Sequence, residues 1–131
     1  MTRRTTPMDA GAVRARAAQA NAFLASAKLH EGNAPADNSV AATAAVNAGI
    51  AASDAICGHS LGYCSKGEDH DQAIELLAVA VRDAGPSRNL ARLLGAKSLA
   101  SYSASMLSDS KTADLIKYAE RLVSAMNDRL R

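Results

Sequence analysis

An alanine-rich segment from Asn38 to Cys57 constrains the fold of this chain more than any other feature. Alanine has the highest helix propensity, and its small side chain lets neighbouring helices approach closely. The larger apolar residues of the segment, such as Val46 and Ile56, do not leave one side polar, and a helix that is apolar on most sides lies at the centre of a domain. The segment therefore predicts a central helix.

The overall composition favours an all-α domain. The chain has 131 residues, of which 48% are hydrophobic and 21% charged, so it is neither disordered nor too short for a core. Aromatic residues make up only 3%, and Trp is absent. A β-sandwich or barrel would need more aromatic and β-branched residues for its strands.

The spacing of apolar side chains predicts four long helices and one short helix. A helix over 9–29 precedes the central one, and helices over about 69–83, 89–94 and 110–130 follow it. No alternating pattern predicts a strand, Gly85-Pro86-Ser87 is predicted to separate two helices, and Gly58 to Asp69 is predicted to be a loop. We expect a four- to five-helix up-and-down bundle over residues 9–131, with a flexible tail over residues 1–8.

The charge pattern and the apolar runs bear on the class of partner and on location. Fifteen basic and thirteen acidic residues give a net charge of +2, without the concentrated basic face of most nucleic-acid-binding proteins. Asn47, Ser53 and Asp54 interrupt the longest apolar run, which predicts that no helix spans a membrane. The first ten residues lack the apolar stretch of a signal peptide, so we expect a cytoplasmic protein.

The cysteines and histidines do not form a recognisable metal motif. Cys57, His59, Cys64 and His70 are acceptable zinc ligands, but they lack a C-x(2)-C pair. Two cysteines form no disulfide framework, and nothing in the sequence places either one beside a histidine as a nucleophile. We therefore predict no metal and no other cofactor.

Asp54 and His70 are the candidates for acid–base chemistry. Asp54 lies near the end of the central helix and His70 begins the next one, so a bundle brings both to the same end. A carboxylate can orient an imidazole and raise its basicity, as general base catalysis requires. The alternative is structural: Asp69 or His70 caps the helix, and Asp54 pairs with Lys97 or with the backbone.

Four further residues are candidates for ligand binding. Lys97 and Tyr102 would line the same pocket as Asp54, and Lys97 with Arg92 could bind a phosphate. Arg92 could instead pair with an acidic residue. Asn47 lies on one line of the central helix with Asp54, and this line could face either the pocket or solvent.

The order of several short motifs resembles that of the HEPN domains. The motifs are Ala-Ala-Ser-Asp-Ala-Ile at 51–56, a Gly-rich loop, Gly-Glu-Asp-His-Asp-Gln-Ala at 67–73, Leu-x-x-Leu-Leu at 90–94 and Lys-Ser-Leu-Ala-Ser-Tyr at 97–102. A final amphipathic helix follows them. The resemblance extends over about 13–126, and it implies a small helical bundle that forms homodimers in toxin–antitoxin, phage-defence or RNA-processing systems.

The chain departs from the family pattern at its catalytic motif. The resemblance would imply, in an active member of the family, a metal-independent ribonuclease with an Arg-x(4–6)-His motif at the dimer interface. No histidine of this chain follows an arginine at that spacing. The positions that match, Asp54, His70, Lys97 and Tyr102, resemble the non-catalytic branch.

Three hypotheses of function follow. The first is a homodimeric binding or regulatory module for a nucleic acid or a nucleotide, without nuclease activity. The second is a noncanonical ribonuclease that uses His70, Asp54 and Lys97. The third is a purely structural bundle that assembles with a cognate partner protein, because alanine-rich helices can also pack against a second chain.

Overall fold

The computed structural model describes residues 4–67, 69–97, 100 and 107–131. Over these residues the chain forms five helices and two short strands, and the prediction of an all-α helical bundle is confirmed. The helices are α1 (Ala10–His30), α2 (Pro35–Leu61), α3 (His70–Ala80), α4 (Ala84–Gly95) and α5 (Asp109–Leu130), and the strands are β1 (Thr5–Pro7) and β2 (Tyr63–Ser65).

Helix α2 is the central helix, as its alanine content predicts. Its alanines at positions 41, 42, 45, 48, 51, 52 and 55 are fully buried. Small side chains bring the neighbouring helices close: a Cβ atom added at Gly49 would overlap Leu93 of α4 and contact Leu122 of α5. The core therefore depends on close backbone approach around α2 rather than on large aromatic side chains.

Polar contacts fix the directions of the long helices. The buried Asn38, at the start of α2, donates from Nδ2 to Leu107 O at 2.9 Å and to Asp109 Oδ1 at 2.8 Å, at the start of α5. Helices α2 and α5 therefore run in the same direction. Helix α1 runs antiparallel to both, and its Asn21 exchanges side-chain hydrogen bonds with Asn127 of α5.

The prediction of a loop from Gly58 to Asp69 without strands is wrong in two respects. Helix α2 continues to Leu61 and ends at Gly62, whose φ of 84° suits glycine. Strand β2 follows and pairs antiparallel with β1, with Thr6 opposite Cys64. Strands of three residues are too short for an alternating pattern to show in the sequence. One of them, β1, is formed by residues of the predicted tail.

Two predicted helix boundaries are also wrong, and proline chemistry explains both. Helix α2 begins at Pro35 rather than at residue 38 or 39, and α4 begins at Ala84 with Pro86 in its first turn. A proline is tolerated there because the first turn has no hydrogen-bond partners for its amides. Asp83, at the end of the predicted third helix, instead caps α4 by accepting a hydrogen bond from the amide of Gly85 at 3.2 Å.

Within the described part of the chain, one helix has the length and hydropathy to cross a membrane. Helix α2 meets that criterion by composition, but 72% of its most apolar window is buried inside the bundle. A central core helix has the same character, because it is surrounded by other helices rather than by lipid.

Candidate functional site

A cavity of about 230 Å³ lies where α1, α2, α3 and the end of α4 meet β2. We call it the polar cavity. Its charged and histidine side chains are Arg16, Asp54, Asp69, His70 and Lys97. Its apolar wall is formed by Ile50, Ala73, Leu90 and Leu94. The cavity therefore combines cations, carboxylates and an apolar surface.

Arg16 and Asp54 form an ion pair in the wall of this cavity. Nε of Arg16 donates to Oδ2 of Asp54 at 3.0 Å, and the two side chains are 30% and 17% exposed. Nη1 of Arg16 also donates to Oε1 of Gln19 at 2.7 Å. The guanidinium is thus held by two acceptors, and it fixes the position of the Asp54 carboxylate.

The Asp54 carboxylate has a perturbed acidity. Burial raises its pKa above the ordinary 3.8, and the charge and hydrogen bond of Arg16 oppose this effect without cancelling it. Only Oδ2 is bonded to Arg16. Oδ1 accepts no hydrogen bond from the described residues, so it can accept one from a ligand.

His70 enters the cavity as the first residue of α3. Asp69 caps that helix, because its Oδ1 accepts a hydrogen bond from the amide of Gln72 at 2.9 Å. This confirms the helix cap of the structural alternative. The pairing of Asp54 with Lys97 or the backbone, its other part, is wrong, because Asp54 pairs with Arg16. Nε2 of His70 is buried, and the ring lines the same cavity as Asp54, as the sequence predicts for the pair.

Ser65 of β2 contributes a buried hydroxyl. Its Oγ has no hydrogen-bond partner among the described residues, although it lies in the wall of the polar cavity. Buried polar groups in native proteins are nearly always hydrogen-bonded, so this hydroxyl is available to bond to a water molecule or to a ligand in the cavity.

The N-terminal residue Arg4 holds strand β2, which carries Ser65, in place. The carbonyl oxygen of Arg4 accepts hydrogen bonds from the amide of Lys66 at 3.1 Å and from Nε2 of Gln72 at 2.9 Å. Gln72 is buried in α3. Residues that precede β1 therefore fasten β2 to α3 beside the cavity.

The remaining predicted site residues lie in different places. Lys97 follows α4 and lines the polar cavity, as predicted with Asp54 and His70. Tyr102 lies outside the described residues. Arg92 is exposed, and its guanidinium stacks over the ring of Tyr118 at 5.0 Å, away from the cavity.

Asn47 lines a second and more open groove, between α1 and α2. This groove of about 430 Å³ also includes Phe23, Val40 and Thr43, and Oγ1 of Thr43 donates to Ala100 O at 3.3 Å. Asn47 and Asp54, which lie on one line along α2, therefore belong to two sites. Asn47 faces the groove together with Thr43, whereas Asp54 faces the polar cavity.

The two cysteines are poor nucleophiles. Both are buried and free, and burial raises the pKa of Cys57 to about 12 and that of Cys64 to about 11, with a further contribution from Asp54. The reactive thiolate is scarce at neutral pH. Within the described ranges, no group of three or more His, Cys, Asp or Glu side chains could hold a metal ion.

Sequence reasoning missed two residues of this site, Arg16 and Ser65. Arg16 lies three residues after Val13 and four before Ala20, both of which are buried, so it borders the inner face of α1. That spacing was a signal that could have been used. Ser65 had none, because its place depends on the pairing of β2 with β1.

The chain matches no family model, no curated protein sequence and no solved structure. The chemistry of the cavity therefore carries the functional argument. Its cations can bind an anionic group, its carboxylates can accept hydrogen bonds, and its apolar wall can contact an uncharged part of the same ligand.

Proposed function

We propose that the chain is a binding module for a nucleotide, which it holds in the polar cavity. The observation that carries this proposal is that Arg16, Asp54, His70 and Lys97 meet in one cavity beside the buried hydroxyl of Ser65. A nucleotide offers a phosphate to the cations, hydroxyl groups to the acceptors and an uncharged base or sugar face to the apolar wall.

The balance of charge favours a nucleotide over a nucleic-acid backbone. Two cations, Arg16 and Lys97, face two carboxylates, Asp54 and Asp69. A surface that follows a phosphate backbone needs an excess of cations, because each bound phosphate is neutralised by Lys or Arg. A balanced cavity suits a small ligand that brings both an anion and hydrogen-bond donors.

The size of the cavity supports a partly enclosed ligand. Pockets for drug-sized molecules have volumes of about 300–1,000 Å³. The polar cavity, at about 230 Å³, is smaller, so it would enclose part of a mononucleotide and leave the rest at the opening.

Calorimetric titration with the four ribonucleoside 5′-monophosphates tests the proposal. We expect at least one to bind, and Lys97→Met to weaken its binding about tenfold, because a charge-assisted contact to phosphate is lost. Lys111→Met is the matched control, since Lys111 is exposed in the first turn of α5. No binding at millimolar concentration, or equal losses in both variants, would contradict the proposal.

A second candidate function is metal-independent RNA cleavage in the same cavity. It is favoured by one observation, that His70, Asp54 and Lys97 all line this cavity, as acid–base chemistry at a phosphate requires. Cleavage of RNA in EDTA that is lost in His70→Ala and kept in His59→Ala would favour it, because His59 is exposed outside the cavity. Intact RNA with all three proteins would favour binding alone.

The relation to HEPN domains, the homodimer, the partner protein and the cytoplasmic location stay predictions. If neither a nucleotide nor RNA interacts with the chain, the structural hypothesis gains support. Measuring the mass in solution at micromolar concentration tests the homodimer directly.

A further inference from the structure

The orientation of the Asp54 carboxylate has a consequence for ligand choice. We propose that Asp54 accepts a hydrogen bond from a ribose hydroxyl and thereby selects ribonucleotides over deoxyribonucleotides. This inference rests on the proposed function, and it makes Asp54 a specificity-determining residue.

Among the described residues, the Asp54 carboxylate is held in place through one of its two oxygens. Oδ2 accepts from Nε of Arg16 at 3.0 Å, and Arg16 is fixed in turn by Gln19 at 2.7 Å. Oδ1 accepts no hydrogen bond from the described part of the chain. The side chain is only 17% exposed, and Asp54 lines the polar cavity. A ligand in the cavity therefore meets a fixed acceptor.

An ionised carboxylate can only accept hydrogen bonds, so the ligand group beside it must donate. A phosphate oxygen would be repelled at this position, because it also carries negative charge. The phosphate therefore belongs near Lys97, and a hydroxyl belongs near Asp54. A carboxylate that accepts from the ribose 2′-hydroxyl is also the solution used in dinucleotide-binding folds.

The expected discrimination follows from the asymmetry of hydrogen-bond energetics. A site built to bind a hydroxyl rejects the analogue that lacks it, because a desolvated polar group is left unpaired. Asp54 would be such a group when a deoxyribonucleotide displaces water from the cavity. We expect a ribonucleotide to bind about tenfold more tightly than its 2′-deoxy counterpart.

Matched titrations at pH 7.5 test this inference. They compare each ribonucleoside 5′-monophosphate with its 2′-deoxy form on the native protein. Two variants follow, Asp54→Asn and Asp71→Asn. Asp54→Asn keeps the shape and a weaker acceptor, so the preference should fall from about tenfold to about threefold. Asp71→Asn removes the same charge from an exposed position in the first turn of α3, outside the polar cavity, so the preference should stay near tenfold.

The outcomes separate this inference from the function on which it rests. Absence of binding by any nucleotide would overturn both. Equal binding of the ribose and deoxyribose forms to the native protein would overturn the role of Asp54 and leave nucleotide binding intact. A preference that stays near tenfold in Asp54→Asn, or that falls equally in Asp71→Asn, would also overturn it. Because the first comparison uses the native protein, it does not depend on how a variant folds.

Discussion

Arg16 and Asp54 join α1 to α2 through a 3.0 Å hydrogen bond between residues 38 positions apart in the sequence. The contact stabilises the antiparallel pairing of these helices at the end where the polar cavity lies. It also holds a carboxylate at a position where burial opposes its ionisation. One pair thus contributes both to the packing of the fold and to the chemistry of the candidate site.

Replacing Arg16 with Met should lower the free energy of unfolding by about 1–2 kcal/mol, because the Asp54 carboxylate loses its hydrogen-bonded partner. Partial exposure of the pair keeps the loss below that of a fully buried ion pair. Arg14→Met, an exposed position on the same helix, should change stability by less than about 0.5 kcal/mol. Urea unfolding at pH 7 measures both variants, and equal stability of the two would contradict the prediction.

Asp54→Asn should raise the free energy of unfolding at neutral pH. The pKa of Asp54 is raised in the folded protein, so burial costs more than Arg16 restores, and a neutral side chain of the same shape avoids that cost. The folded protein holds the proton of Asp54 more tightly than the unfolded chain does. The protonated Asp54 therefore makes a stabilising contribution to the free energy of unfolding. This contribution is fully present below the ordinary pKa of 3.8 and is lost as pH rises through the raised pKa of the folded protein.

Urea unfolding of the native protein and of Asp54→Asn, at a series of pH values from 3.5 to 7, checks the direction of this pH dependence. The stability of the native protein relative to the variant should fall as pH rises from the ordinary pKa. A relative stability that grows over the same interval would show that the ion pair outweighs burial.

The sequence predicted the helices well because alanine content and apolar spacing act locally. The central position of α2 and the approach of Asp54, His70 and Lys97 followed from helix order alone. The sequence left open whether the line through Asn47 and Asp54 faces the pocket or solvent. The line reaches two sites, because seven residues place the two side chains on the same face of α2 but about 10 Å apart along the helix axis. Ser65 depended on the pairing of β1 with β2, which joins distant segments and leaves no local pattern.

Close helix packing makes Gly49 a sensitive position. Gly49→Ala should destabilise the fold by about 1 kcal/mol, because the overlap with Leu93 exceeds the gain in helix propensity. Gly95→Ala is the control, since an added Cβ there meets no atom within 4 Å, and it should leave stability unchanged or raise it by up to about 1 kcal/mol. Thermal or urea unfolding measures both variants. If both were less stable than the native protein, or both more stable, the result would contradict the close packing inferred at Gly49.

The cysteines should react slowly with a thiol reagent at pH 8. Raised pKa values of about 12 for Cys57 and about 11 for Cys64, together with burial, leave little accessible thiolate. We expect labelling by dithionitrobenzoate to be at least about a hundredfold slower in the folded protein than in urea. Rapid reaction of either thiol without denaturant would mean that α2 and β2 open readily at this end.

The N-terminal strand should matter for binding more than for folding. Deleting residues 1–7 removes β1 and the Arg4 carbonyl that accepts from Lys66 and Gln72. The helical circular dichroism should be retained, because the core lies among the helices, while nucleotide affinity should fall as the Ser65 wall loosens. An unchanged affinity would show that β1 does not support nucleotide binding in the polar cavity.

The most direct measurement is a titration of the ¹⁵N-labelled protein with the ribonucleoside 5′-monophosphates, followed by amide chemical shifts. Nucleotide binding in the polar cavity predicts the largest changes at Asp54, Ser65, Gly67, His70 and Lys97. Changes centred on Asn47 in the groove between α1 and α2, or no changes at millimolar nucleotide, would contradict the proposed site.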